Sequence, residues 1–150
     1  MADCTGVRVY RVCKNRFVDF EKFLRKWDSE HTGKVVLDAG AGPQRYREHL
    51  RQNRYISQDF GEYKGGGNAL YYNQEVSTDW RGSECDIISD ITEIPVKDDS
   101  FDLVILTEVL EHVYSPERAL VELARVLKTG GTIAITMPYA CHYHQEPYFF

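Results

Sequence analysis

The sequence lacks the features that mark several classes of protein. Its four cysteines form no CxxC pair, which argues against a cysteine-ligated metal centre and favours reduced intracellular thiols. No apolar run approaches the roughly 20 residues of a membrane-spanning helix, and the first segment, MADCTGVRVY, has no signal-peptide core. Basic residues are fewer than acidic ones, 18 against 23, so the net charge is −5. The sequence therefore predicts a cytoplasmic protein with neither a membrane nor a nucleic acid as its partner.

The length and the order of the sequence patterns predict one α/β domain. A chain of 150 residues, of which 43% are hydrophobic, is large enough for one core. Strand-like apolar runs alternate with helical patterns, as in parallel sheets built from right-handed βαβ units. We expect one domain over residues 1–150, made of a helical cap (1–33), a core (34–138) and a tail (139–150). Strands are predicted at 34–38, 54–60, 85–90, 101–106 and 132–138, and helices at 15–27, 43–51 and 116–127.

The first and last predicted helices each carry an apolar stripe at helical spacing. In the first helix, the stripe consists of Phe17, Phe20, Leu24 and Trp27. We interpret it as a face laid on the body of the domain, with a partner-binding helix as the alternative. The last helix is predicted to begin with Ser115 as its cap and Pro116 in its first turn. Its stripe consists of Leu120, Leu123, Ala124 and Leu127.

The segment KVVLDAGAGPQR places a carboxylate at the end of a predicted buried strand and two glycines directly after it. In an open parallel sheet, ligands bind beyond the carboxyl ends of the strands, so Asp38, Gly40 and Gly42 should face a ligand. Glycine has no side chain to keep a ligand away from the backbone. Asp59 ends the next predicted strand, where an acidic side chain can reach both hydroxyls of a ribose. The alternative for the glycine segment is a tight turn with no ligand, and the alternative for Asp59 is a solvated aspartate at a strand end.

The same turn argues against a dinucleotide. The dinucleotide-binding pattern GxGxxG needs a third glycine, but Pro43, Gln44 and Arg45 follow Gly42 here. A carboxylate within the turn would repel phosphate and suit a cationic ligand. A nucleoside that carries an ammonium and a sulfonium group fits these residues better, and a nucleotide-dependent oxidoreductase is a weaker alternative.

Four motifs in order make the chain resemble the class I S-adenosylmethionine-dependent methyltransferases, in the branch of small-molecule enzymes called type 11. The resemblance runs from about Val35 to Pro138. It rests on VVLDAGAG, YISQD, DIISDITEIPVKDDSFDLVILTEVLEHV and SPERALVELARVLKTGGTIAITMP. The resemblance implies a Rossmann-like, doubly wound, mostly parallel sheet in a three-layer αβα arrangement. It also implies S-adenosyl-L-methionine as the cofactor, S-adenosyl-L-homocysteine as its product and a small-molecule or biosynthetic intermediate as the methyl acceptor.

The resemblance carries the family's cofactor contacts onto positions of this sequence. The first motif would surround the methionine part of the cofactor, Asp59 would bind the ribose hydroxyls, and Phe60 would pack on the adenine. Asp90 would accept from the adenine amino group beside Ile91, and Thr107 and Glu108 would lie near the methyl group. The full predicted set is Asp38, Ala39, Gly40, Gly42, Asp59, Phe60, Asp90, Ile91, Thr107 and Glu108.

Catalytic side chains are harder to assign, because a sulfonium methyl group is already activated and needs mainly positioning. Glu108, His112 and His142 are the candidates for a base, should the acceptor have to lose a proton. For Glu111 and His112, packing or hydrogen bonding on a short helix is the alternative, and for His142 it is exposure in a loop. The segment CHYH has too few ligands at fitting spacing, so no metal site is expected.

The resemblance departs from the family at one place. The family's sheet has seven strands and ends in an antiparallel hairpin, whereas only 139–150 follow the fifth predicted strand here. We therefore expect a truncated chain that lacks the C-terminal strand pair and exposes a sheet edge. A homodimer across that edge is one way to cover it. A cofactor-binding module that is inactive, or active only with a partner, is the alternative to an enzyme.

Overall fold

Five strands lie side by side in residues 16–61 and 85–138, which are the residues that the computed structural model describes. Two short 3-10 helices, Arg47–His49 and Leu110–His112, accompany the strands and the two α-helices in this part of the chain. The helices and strands are α1 (Arg16–Glu30), β1 (Val35–Ala39), β2 (Arg54–Asp59), β3 (Ile87–Ile88), β4 (Phe101–Thr107), α2 (Pro116–Val126) and β5 (Leu127–Thr136).

The sheet has the strand order β3-β2-β1-β4-β5, and every described pair of neighbouring strands is parallel. The order reverses beside β1, which pairs with β2 on one side and with β4 on the other. In this register Asp38 lies between Ser57 and Ile105. The α/β class and the five strands predicted from the apolar runs are confirmed, although β3 is reduced to two residues.

Alternate residues of the central strands enter two separate hydrophobic clusters, one on each face of the sheet, because strand side chains alternate in direction. On one face, Val36, Leu103 and Ile105 pack with residues of α1. On the other face, Leu37, Val104 and Leu106 pack with residues of α2. The helical residues are Phe20, Leu24 and Trp27 in the first cluster and Ala119, Leu123 and Val126 in the second. The sheet therefore lies between two helical layers.

The helix predicted at 43–51 is wrong. This segment is a series of turns that ends in the 3-10 helix Arg47–His49. Gln44 has a φ of +55°, which is outside the right-handed helical region. The backbone bonds from Gln44, Arg47 and Leu50 all reach back three residues, to Ala41, Gln44 and Arg47, as in 3-10 turns.

The last helix forms where it was predicted, but its inner face is different. Leu120 and Ala124 are exposed, whereas Ala119 and Val126 are fully buried beside Leu123. The predicted and the observed stripe both have helical spacing, so the position of the sheet decides which of the two is buried. Ser115 occupies the N-cap position without a side-chain capping bond, and Leu127 already belongs to β5.

Three further predictions concern a membrane, a homodimer and the tail of the chain. No helix within 16–61 or 85–138 is long and apolar enough to cross a membrane. β5 is an edge strand among the described strands, and a homodimer across this edge stays a prediction. The predicted tail 139–150 lies outside the described residues, as do residues 62–84.

We expect Leu123→Ala to lower the free energy of unfolding by roughly 2–5 kcal/mol, because it removes a fully buried side chain from the cluster under α2. Leu120→Ala is the matched control, since it makes the same change on the same helix at a position that is 38% exposed. It should cost about 1 kcal/mol or less. Urea denaturation of both variants measures the difference. Equal losses would contradict the observed helix face.

Candidate functional site

Acidic and hydroxyl side chains gather at one edge of the sheet. Asp38 is the penultimate residue of β1, Asp59 is the last of β2 and Thr107 is the last of β4. Asp90 follows β3, and Glu108 follows β4. Because the strands are parallel, their carboxyl ends meet at this edge, beside the point where the strand order reverses. The structure thus places the predicted acidic residues on one side of the domain.

The turn after β1 requires glycine for two separate reasons. Gly40 and Gly42 have φ values of +69° and +47°, a backbone region that favours glycine. In addition, a Cβ atom on Gly40 would lie 2.5 Å from Cγ2 of Val109, which follows β4. The turn after β1 and the chain after β4 therefore approach each other too closely for a side chain at this position.

Asp59 holds the neighbouring backbone with both of its carboxylate oxygens. The Gly42 N–H donates to Oδ2 at 3.0 Å, and the Gly61 N–H donates to Oδ1 at 3.0 Å. A carboxylate has about four acceptor sites, so these two bonds leave acceptor capacity for a ligand. The predicted ribose contact is compatible with this geometry, and the support of the glycine turn is an additional role that the sequence did not reveal.

Gln58 connects the loops after β1 and β3, and it was missed in the sequence. Its side chain is fully buried, and its Nε2 donates to the Ser89 carbonyl at 2.7 Å. Its Oε1 accepts from the Gly40 N–H at 3.4 Å, while its backbone carbonyl accepts from the Ala41 N–H at 2.9 Å. A glutamine within the strand sequence RYISQD was the available signal, since an amide buried in a sheet needs partners.

Asp38 is buried, and the hydroxyl group of Tyr55 on β2 donates a hydrogen bond to its Oδ2. Burial raises the pKa of Asp38 from 3.8 to about 7, the Tyr55 hydrogen bond opposes this shift, and nearby Asp59 adds to it. The Arg47 guanidinium, which also lowers the pKa of Asp38, lies 4.6 Å from the centre of the Tyr55 ring. A carboxyl group in this position would hold its charge more readily beside a cationic ligand.

The residues predicted around the adenine have different environments. Asp90 is exposed, and its Oδ1 accepts from the backbone N–H and the hydroxyl group of Thr92 at 2.8 and 2.7 Å. Ile91 is buried in the cluster under α2, so its side chain serves the core. Phe60 is 57% exposed and Ile88 is 71% exposed, which leaves apolar surface after β2 and on β3.

The residues after β4 form the remaining part of the edge. Glu108 has a φ of +55°, and its Oε1 accepts from the Thr136 hydroxyl group at 2.9 Å. His112 lies in the second 3-10 helix, with its Nε2 3.9 Å from Oε1 of the buried Glu111. His142 lies outside the described residues. No group of three or more potential metal ligands occurs within 16–61 and 85–138.

Comparison with known proteins identifies the family. Residues 37–135, more than half of the chain, match the family described as "Methyltransferase domain". The YcgJ protein of Bacillus subtilis has a similar fold, with a TM-score of 0.59 and 22% identity over 82% of this chain and 52% of that chain. The chain belongs to the S-adenosylmethionine-dependent methyltransferase family, and the family implies S-adenosylmethionine as the cofactor.

Two curated relatives match this chain over part of their own length. The malonyl-[acyl-carrier protein] O-methyltransferase of Yersinia pestis is 32% identical over 106 residues, which are 69% of this chain and 36% of that protein. The demethylmenaquinone methyltransferase of Thermobifida fusca (strain YX) is 30% identical over 115 residues, which are 70% of this chain and 44% of that protein. The matched residues thus cover less than half of either relative.

The raised pKa of Asp38 predicts a pH-dependent effect of Asp38→Asn on stability. With a pKa of about 7 in the folded chain against 3.8 ordinarily, the unfolded chain releases this proton at lower pH. A rise from pH 4 to 7 therefore destabilises the wild type by up to about 1.4 kcal/mol per pH unit, while the asparagine of the variant does not titrate. The stability of the variant relative to wild type should increase from pH 4 to 7 and then remain constant.

Urea denaturation at several pH values measures this difference. Glu117→Gln, at an exposed position of α2, is the control, and its difference from wild type should not follow the same curve. A stability difference between Asp38→Asn and wild type that is flat from pH 4 to 8 would show that Asp38 titrates normally.

The contact between Gly40 and Val109 predicts that Gly40→Ala costs more stability than Gly33→Ala. Both glycines have φ near +70°, so each alanine costs about 1–2 kcal/mol for its backbone conformation. A Cβ at Gly33 meets nothing within 4 Å, whereas a Cβ at Gly40 collides with Val109, which should cost about 1–3 kcal/mol more. Denaturation of both variants tests this, and Val109→Ala should reduce the cost of Gly40→Ala. Equal costs for the two glycines would argue against the close approach.

Proposed function

We propose that this chain transfers the methyl group of S-adenosylmethionine to a small-molecule acceptor. The observation that carries the proposal is the glycine turn held by Asp59 at the switch point of the sheet, in a chain that belongs to this family. A net charge of −5 and the acidic edge disfavour a nucleic acid as the acceptor. The relative from Thermobifida fusca, whose name specifies demethylmenaquinone, supports a small-molecule acceptor.

The residues at this edge fit the chemistry of the cofactor. S-adenosylmethionine carries a sulfonium and an ammonium group, and the carboxylates Asp59 and Glu108 supply negative charge at the edge. A bound cation would add Asp38 to them, because it would favour the charged form of this buried group. We assign the turn Ala39, Gly40 and Gly42 to the methionine part and Asp59 to the ribose. Asp90 and the backbone of Ile91 are assigned to the adenine, with the exposed ring of Phe60 as a packing surface. Thr107 and Glu108 complete the proposed site.

The protein's own contribution to the reaction is positioning. The bound cofactor supplies an activated methyl group, and the acceptor atom must be held about 3–3.5 Å from the methyl carbon in line with the breaking bond. Glu108 is the first candidate for removing a proton from an acceptor, because it follows β4 at the same edge. His112 is the second candidate, since its imidazole is partly exposed beside Glu111. His142 remains a third, within the tail.

A cofactor-binding module that is inactive alone or depends on a partner is the alternative function. In that case the chain would bind the cofactor tightly and show no turnover with any acceptor until the partner is added. Both proposals therefore predict binding of the cofactor, and only the enzyme predicts methyl transfer by the chain alone.

Calorimetric titration with S-adenosylhomocysteine tests the cofactor site that both proposals share. We expect a dissociation constant in the micromolar range for the wild type and no comparable binding of NAD. Asp59→Ala should weaken binding by roughly tenfold or more, because it removes a charged acceptor and the support of the Gly42 N–H. Glu117→Ala, an exposed acidic position on α2, serves as the control and should bind like the wild type.

The outcomes separate the proposals. Binding followed by methyl transfer to a small molecule in an acceptor screen supports the enzyme, whereas binding without turnover supports the module. Tight NAD binding together with no binding of S-adenosylhomocysteine would contradict both.

A further inference from the structure

The connection between β3 and β4 is irregular, although it carries two residues that we assign to the adenine. Residues 89–100 contain neither an α-helix nor a strand. Asp90 accepts the Glu93 N–H at 3.1 Å through its backbone carbonyl and two bonds from Thr92 through its side chain. A tight turn at 90–93 therefore holds the Asp90 carboxylate, and Ile94 directly follows this turn.

Two side chains of α2 hold the backbone of this connection at Ile94 and Val96. Glu122 Oε1 accepts from the Ile94 N–H at 2.7 Å. Arg125 donates from Nη2 to the Ile94 carbonyl at 3.0 Å and from Nη1 to the Val96 carbonyl at 2.9 Å. We call this pair of side chains the Glu122–Arg125 clamp. It bonds three backbone groups of a segment that lacks helix and strand, although the Ile94 carbonyl also accepts from the Val96 N–H at 2.7 Å.

The two side chains of the clamp are also bonded to each other. Arg125 donates from Nε to Oε2 of Glu122 at 2.8 Å and from Nη2 to Oε1 at 2.7 Å, which is a two-bond guanidinium–carboxylate pair. Its Nη1 also donates to Asp98 at 2.6 Å. The Arg125 hydrogen bond is the main reason that the pKa of Glu122 lies below its usual value. A lysine ammonium has three donors, but all of them are on one nitrogen, so it lacks the planar fork that pairs with both oxygens of Glu122 while also reaching the two carbonyls.

Apolar contacts anchor the same segment beside the clamp. Ile91 and Ile94 are buried in the cluster that contains Ala119 and Leu123 of α2. These contacts fix the distance of the segment from α2, but they are not directional. The hydrogen bonds to Ile94 and Val96 add the direction, because a carbonyl or N–H group must point at its partner.

We propose that the Glu122–Arg125 clamp is a positioning device that orients Asp90 toward the exocyclic amino group of the adenine and so supports recognition of that base. This inference rests on the proposed function, which assigns Asp90 to the adenine. Neither Glu122 nor Arg125 touches the cofactor in this arrangement. Their influence passes through Ile94 and the turn at 90–93 to the Asp90 carboxylate.

The test compares two ligands that differ only in the group that Asp90 would bind. S-adenosylhomocysteine and its 6-deamino analogue, in which hydrogen replaces the amino group, are titrated into the wild type and into Arg125→Gln. We expect the wild type to prefer S-adenosylhomocysteine roughly tenfold, as expected for a hydrogen bond to a charged acceptor. In Arg125→Gln the preference should fall to roughly twofold or less. A role in general stability alone would weaken both ligands equally and leave their ratio unchanged.

Two further variants support the comparison. Arg118→Gln removes an exposed arginine from the same helix and should keep the wild-type preference. Arg125→Lys keeps the charge without the forked geometry, so it should lose most of the preference, and it replaces Arg125→Gln if that variant fails to fold. Hydrogen exchange followed by mass spectrometry should show faster exchange of the backbone in 91–98 for both Arg125 variants, with β1 and β4 unchanged.

The outcomes separate this inference from the proposed function. If the wild type binds neither ligand, the proposed cofactor site fails, and the positioning role fails with it. If the wild type prefers S-adenosylhomocysteine and Arg125→Gln keeps that preference, only the positioning role is overturned. If the wild type binds the two ligands equally, the proposed contact between Asp90 and the amino group is contradicted, and the positioning role fails with it.

Discussion

A parallel sheet that is covered on both faces leaves little room for polar side chains except at the ends of its strands. Here α1 covers one face and α2 covers the other, so β1 and β4 contribute side chains to both hydrophobic clusters. The buried polar side chains of the described strands lie toward the carboxyl ends of β1, β2 and β5 and are hydrogen-bonded; they are Asp38, Ser57, Gln58 and Thr136. Asp38 and Asp59 stand at the carboxyl ends of their strands and Glu108 follows the end of β4, so these three groups meet at one edge, which is the position of the candidate site.

β2 connects the two loops of the proposed cofactor site. Asp59 holds the turn after β1 through the Gly42 N–H, and Gln58 holds the Ser89 carbonyl directly before Asp90. The methionine end and the adenine end of the proposed site therefore share one strand as their support. The Glu122–Arg125 clamp adds a second support to the adenine end from the opposite side, through α2. Loops that are held from two directions lose less conformational entropy when a ligand binds.

The sequence predicted the parts of the fold that depend on short-range patterns. The apolar runs located all five strands, and the stripes at helical spacing located α1 and α2. The helix at 43–51 was wrong because the positive φ of Gln44 follows from the geometry of the glycine turn, which composition does not record. Asp38, Gly40, Gly42 and Asp59 could be placed at the edge because each stands at a predicted strand end. The roles of Gln58, Tyr55 and Arg125 could not, because their partners depend on sheet register and on how α2 lies against the sheet.

The buried carboxyl group of Asp38 shows how a position that serves a ligand differs from a position that only stabilises the fold. Burial makes its charge unfavourable, so its pKa rises to about 7, and the nearby charge of Asp59 increases that cost. An apolar side chain at this position would avoid the cost of burying a charge. A carboxyl group that is buried despite this cost is typical of a functional site. A cation at this edge would favour the charged form of Asp38 and relieve the repulsion from Asp59. The destabilising feature of the ligand-free chain is thus the feature that would favour a sulfonium or ammonium ligand over a neutral one.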